Sequence, residues 1–270
     1  MKKRLLMTKE NKTVSEIMLE FLKTCEVRNY RTGTIDYYKT AFRIFGNFTD
    51  LSVFAINLTK ELFDDFILWE KGHVKSDYTV LSVAKAMRAF YYWSMERNYI
   101  PTFKLKMPKT DTHLKETYSD GELEVLLKKP KTKRFSEYRN WVYINFCIGT
   151  GARLQSMNNI KISDLDFENE LITLQTTKNR KGQLIPMSKS LRNILLEYLE
   201  FRKGNDDDYL FCNIYGEKLK TTTIQQQITN YNHKRGVEKT SIHLFRHTFA
   251  KKSPEKPIFP LHPTVCRGRI

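Results

Sequence analysis

Apolar residues recur every three to four positions through most of the first hundred residues, the spacing of helices that bury one face. Val14, Ile17, Phe21, Leu22 and Cys25 form one stripe. The preceding "TVSE" supplies its start, with Thr13 as cap and Glu16 reaching back three residues later. Ile35, Tyr38, Phe42, Phe45 and Phe48 mark a second helix from near Thr34. Leu62, Phe63, Phe66, Ile67 and Trp69 mark a third over Lys60 to Glu70. Val80, Val83, Met87, Phe90 and Tyr91 mark a fourth from about Asp77 to Arg97. No strand alternation interrupts them. The pattern predicts a four-helix domain over residues 12–100, preceded by a basic tail at 1–11.

"IPTFKLKMPKTDTHLKET" then breaks the period with two prolines and carries four lysines, so residues 101–117 read as a basic linker. A second domain over 118–252 opens on another capping box, Ser119 with Glu122. A long apolar helix follows in "SEYRNWVYINFCIGTG", then a short one in "ARLQSM". The runs "LITLQTT" at 171–177 and "QLIPM" at 183–187 read as two strands, with "KNRKG" as their turn. Helical patterns return at 188–203 and 221–234 and again in "SIHLFRHTFAKK", up to about Lys252. Pro254, Pro257, Pro260 and Pro263 forbid helix beyond that point, so 253–270 reads as an atypical Pro-rich tail. The expected fold class is mainly α with a small antiparallel β-sheet (α+β).

Charge narrows the partners. The 270 residues hold 46 Lys and Arg against 30 Asp and Glu, a formal +16. Such an excess favours a polyanion. Lys85 and Arg88 fall with Ser82 and Tyr92 on the fourth helix's outer face, and Lys104 and Lys106 follow in the linker. These four cations are candidate contacts to DNA phosphates. The alternatives are a solvated helix face and a self-repelling spacer. With no apolar run of about 18 residues, no membrane helix is expected. The basic start has no apolar run behind it and does not read as a signal peptide. The expected compartment is the cytoplasm, at the nucleoid. The four cysteines form no close pair, which argues against a disulfide framework or a zinc site.

Three places bear candidate chemistry. His243, Arg246 and His247 stand at i, i+3 and i+4, one side of a helix. Histidines at i and i+4 have zinc spacing, but Leu244 stands where the motif has its glutamate. An arginine beside a dication is also unfavourable. A phosphate suits the set better, since a guanidinium forks onto its oxygens and a histidine donates or moves a proton near neutral pH. Arg153 follows the tight "GTG" turn, and Lys178 heads the turn between the two strands. Each alone also reads as ordinary surface: an arginine after a capping glycine, a basic turn. Two arginines, a lysine and a histidine converging on one phosphate would offset charge developing there without a metal. No acid cluster suggests the ligands of a two-metal site.

Taken in order, "TGARLQ", "TKNRKGQLIPM" and "HLFRHTFA" resemble the tyrosine recombinase (phage integrase) family. The resemblance spans about residues 12–252, with the helical domain and linker similar to that family's core-binding domain and strap. It implies a site-specific DNA recombinase. Arg153 and Arg246 would grip the scissile phosphate, His243 would donate to it and assist proton transfer, Lys178 would protonate the leaving 5′ hydroxyl, and His247 would support the site from beneath. It further implies double-stranded DNA as partner, self-association on DNA as a tetramer, and no metal or other cofactor.

Two positions depart from the family. Ser156 stands where an acid often follows the first arginine. The family's nucleophilic tyrosine lies beyond the HxxRH element, whereas the last of the 14 tyrosines here is Tyr231. The expectation is a C-terminally truncated or frameshifted member that binds DNA and does not cleave it alone. Alternatives are a non-catalytic DNA-binding module or inhibitor of an intact recombinase, a tyrosine delivered by a partner subunit, and a type IB topoisomerase-like protein.

Overall fold

The computed structural model describes residues 12–111, 116–175 and 182–252. The chain divides into two compact units, residues 1–113 and 114–270. The fold is mainly α with a small antiparallel sheet.

In the first unit, α1 (Val14–Val27), α2 (Thr32–Phe48), α3 (Lys60–His73) and α4 (Asp77–Glu96) enclose an aromatic core. The Thr13 hydroxyl accepts from the Glu16 amide while the Glu16 carboxylate accepts from the Thr13 amide, which satisfies two donors the first turn leaves open. Phe21, Phe42 and Phe90 meet edge to face, their centroids 5.0–5.8 Å apart, the arrangement that aromatic quadrupoles favour. Met18, not Leu22, completes the inner face of α1. At 100° per residue Met18 lies only about 20° beyond the arc set by Val14, Ile17, Phe21 and Cys25, and Leu22 about 60° beyond it. After α4 the chain returns along the same unit. Ile100 and Leu105 are buried and Phe103 and Met107 pack against the core, while Lys104 and Lys106 face outward. That is the two-residue period of extended chain.

The second unit contains α5 (Asp120–Leu127), α6 (Phe135–Thr150), α7 (Leu154–Met157), β1 (Leu165–Asp166), β2 (Leu171–Leu174), β3 (Gln183–Pro186), α8 (Lys189–Arg202), α9 (Thr221–His233) and α10 (Ile242–Lys252). Residues 138–144 of α6 are all buried, with Phe146 and Cys147 after them. A helix buried on nearly all sides belongs at a centre, and α5, α8, α9 and α10 pack around it. The sheet has the order β1-β2-β3, all antiparallel, with Ile172 opposite Ile185 and Leu174 opposite Gln183. Strand β1 is absent from the pattern-based reading because two residues are too short to display alternation. The residues of the expected strand and turn from Thr176 to Lys181 lie outside those described, as does the Pro-rich tail. Cys25, Cys147 and Cys212 are free and buried.

Candidate phosphate-binding site

The end of α6 organises the site. Gly151 adopts φ 59°, and its amide closes the helix on the Cys147 carbonyl at 2.9 Å. A side chain there would be strained by the left-handed backbone, and its Cβ would run into the Phe249 ring of α10. This glycine therefore lets a helix end and another helix approach in the same place. The turn delivers Arg153 in extended backbone, φ −78° and ψ 144°, at the start of α7. Ala152 and Leu154 are buried on either side of it. The backbone of Arg153 is thus held by two anchors while its side chain stays exposed. Ser156 is buried three residues after Arg153, on α7's inner face.

Helix α10 supplies the other part. Ile242, Phe245 and Thr248 form its buried stripe. His243, Arg246 and His247 are left to the opposite side, with His243 exposed and the other two half-buried. An Arg246 Nη1–H donates to the Gly151 carbonyl. Burial, and then the like charge of Arg153, pull the Arg246 guanidinium below its usual pKa. Two cations repelling each other at one turn make a place where an oxyanion is favoured, because it relieves the repulsion and accepts from both.

Lys178 lies outside the described residues. The stem of its hairpin is described: Gln175 Nε2 donates to Asp164 Oδ1 at 2.6 Å, and Oδ2 of the same buried carboxylate accepts from the Lys161 amide at 2.9 Å. Sequence reasoning passed over this anchor, for which "SDLDF" shows only an acid near a turn. It also passed over the Gly151 carbonyl, a backbone group that no side-chain pattern reveals.

The four other candidate cations belong to the first unit. Lys85 and Arg88 are exposed on α4. The Arg88 guanidinium lies over the Tyr92 ring, 5.8 Å from its centroid. The Leu105 amide donates to the Tyr92 hydroxyl at 3.5 Å, which brings Lys104 and Lys106 beside the same helix face. Among the described residues no three His, Cys, Asp or Glu side chains converge, and no helix is long and apolar enough to cross a membrane.

The sequence model described as the phage integrase family matches residues 117–256. Two proteins named tyrosine recombinase XerC, from Staphylococcus aureus strains MRSA252 and USA300, are each 26% identical over 247 residues, covering 88% of this chain and 82% of theirs. The fold is similar to that of a Tn1549 transposon integrase in complex with transposon right end DNA, with TM-score 0.71, 19% identity, and coverage of 89% of this chain and 86% of that one. It is likewise similar to a lambda integrase dimer bound to a COC′ core site, with TM-score 0.72, 12% identity and 89% of both chains covered. A lambda integrase tetramer bound to a Holliday junction matches with TM-score 0.72 and 12% identity, over 89% of this chain and 72% of that one.

Proposed function

This chain belongs to the phage integrase family, and we propose that it binds double-stranded DNA as a recombinase does but does not cut it unaided. The observation that carries the reading is the meeting of Arg246 with the turn that holds Arg153. In this reading the two guanidiniums fork onto the non-bridging oxygens of the scissile phosphate. A ring N–H of His243 donates to the same phosphate, and His247 supports α10. Lys178, between β2 and β3 in sequence, protonates the departing 5′ oxygen. Lys85, Arg88, Lys104 and Lys106 contact backbone phosphates elsewhere on the duplex and position the protein without reading sequence.

The family reaction needs a tyrosine whose hydroxyl attacks phosphorus and holds the 3′ phosphate covalently, so that the energy of the broken bond is kept for rejoining. Residues 232–270 contain no tyrosine. Two buried upstream phenols are unsuited to the task. The Tyr231 hydroxyl is buried and donates to the Leu126 carbonyl, and Tyr118 is buried as well. The 270-residue chain therefore grips DNA without attacking it. It acts at the nucleoid and self-associates on paired sites, as the similarity to a DNA-bound tetramer suggests.

A nicked suicide duplex tests this, since the short strand diffuses away after cleavage and traps any covalent adduct. Expected is a DNA complex in a gel shift and no adduct in a denaturing gel. A covalent adduct would overturn the inactivity, and absence of any DNA complex would overturn the whole reading. The missing tyrosine also favours a second role, occupation of sites needed by an intact relative. Titrated into that relative's recombination assay, the chain should lower the rate.

A further inference from the structure

Helix α10 has 11 residues, too few to hold its place by its own hydrogen bonds. Its position is set by what it packs against, and the residue with the most varied hold on it is Tyr118. This side chain, 2% exposed, lies just before α5 and outside every motif considered above. Its amide donates to Thr248 Oγ1 at 2.9 Å. Its ring stacks on Phe245, with centroids 4.3 Å apart and planes at 24°. Its hydroxyl lies 3.1 Å from the Lys239 carbonyl and 3.4 Å from that of Ser241, and accepts from Asn232 Nδ2 at 3.0 Å.

These contacts interleave with the charged face. Ser241 comes two residues before His243, Phe245 immediately before Arg246, and Thr248 immediately after His247. One residue thus holds the entry, the middle and the far side of the short helix. The contacts also differ in kind. Ring stacking limits how far α10 can slide, and the bonds to Thr248 and to the two carbonyls before the helix limit how far it can turn about its axis. Lys239, whose carbonyl is one partner, donates its ammonium to the Thr117 carbonyl and the Glu122 carboxylate, both at 3.1 Å. The segment entering the second unit is thereby closed around the start of α10.

We propose that Tyr118 is a positioning residue for the phosphate clamp, its hydroxyl fixing the rotation of α10 and hence the direction in which His243 and Arg246 are presented. The proposal rests on the reading that Arg153, His243 and Arg246 hold a phosphate. The hydroxyl can be removed cleanly. In Tyr118→Phe the stack and the amide bond remain, and Asn232 Nδ2 keeps its 2.7 Å bond to the Lys239 carbonyl.

The test uses the 270-residue chain labelled at histidine, with inorganic phosphate as probe and chloride at equal ionic strength as control. In the unaltered protein, phosphate shifts the His243 ring signals and chloride does not. In Tyr118→Phe, folded by circular dichroism, the phosphate dissociation constant rises about fivefold, the alignment one hydrogen bond supplies. In Arg246→Ala the response disappears. If Tyr118→Phe responds as the unaltered protein does while Arg246→Ala does not, the positioning role is overturned and the clamp stands. A response equal in the unaltered protein and Arg246→Ala overturns the clamp, and the positioning role with it. If Tyr118→Phe is unfolded, Tyr118 is a structural residue only, and the proposal fails.

Discussion

The Arg246 guanidinium donates to the carbonyl of Gly151 across 95 residues of sequence. Gly151 ends α6 two residues before Arg153, so one arginine of the pair is tied to the turn that aims the other. A displacement of α10 moves Arg246 directly, and loosens the turn that orients Arg153. The two cations consequently differ in what their loss should do.

Removing Arg246 should cost both stability and affinity. Arg246→Ala leaves the Gly151 carbonyl without its donor, a loss of about 1 kcal/mol in urea unfolding. Arg153→Ala, which removes an exposed side chain, should leave unfolding within about 0.5 kcal/mol. Both should weaken duplex binding and lower the slope of log affinity against log salt by about one. Fluorescence anisotropy across a salt series measures this, and an unchanged slope in Arg153→Ala would place its guanidinium away from phosphate.

Gly151→Ala should be among the most damaging single-methyl additions in the second unit. The left-handed backbone alone costs about 1–2 kcal/mol, and the new Cβ must also displace the Phe249 ring. Combined with Phe249→Ala, it should cost less than the sum of the two single variants. A double-mutant cycle in chemical denaturation measures the coupling. Strict additivity would mean that the ring moves aside freely.

The returning segment of the first unit predicts a separation of two effects. Leu105→Ala removes a buried side chain and should destabilise by about 2–5 kcal/mol. Lys104→Glu with Lys106→Glu changes exposed positions, and should leave the melting temperature nearly unchanged while weakening DNA binding severalfold at low salt. Equal DNA affinity after the double charge reversal would remove these lysines from the interface.

Glu70, buried in α3, predicts a pH dependence of opposite sign to that of most carboxylates. Burial raises its pKa above the ordinary 4.5, with His73 opposing the shift. Below the unfolded value both states are protonated and burial costs little. As pH rises through the raised folded value, the native state must ionise a buried group, and stability falls. Glu70→Gln should therefore raise the thermal midpoint at pH 7 and leave it nearly unchanged near pH 4. A gain of equal size at both pH values would point to packing instead of ionisation.

The helices of this protein were legible because their information is local. A period of 3.6 and a capping box involve residues within a few positions of one another, so Thr13 with Glu16 and Ser119 with Glu122 declare the same starts in sequence and in structure. The common face of His243, Arg246 and His247 is legible for the same reason, as is the absence of tyrosine after Tyr231. Tertiary structure alone decided what those faces meet. Helix α6 is buried nearly all round, so it shows no stripe from which neighbours can be assigned. Only packing shows that Phe249 excludes a side chain at Gly151, that Arg246 bonds that residue's carbonyl, and that Tyr118 stacks on Phe245. Each joins residues far apart in the chain through a ring face, a backbone oxygen or a gap where no atom fits, and none of these has a periodicity to read.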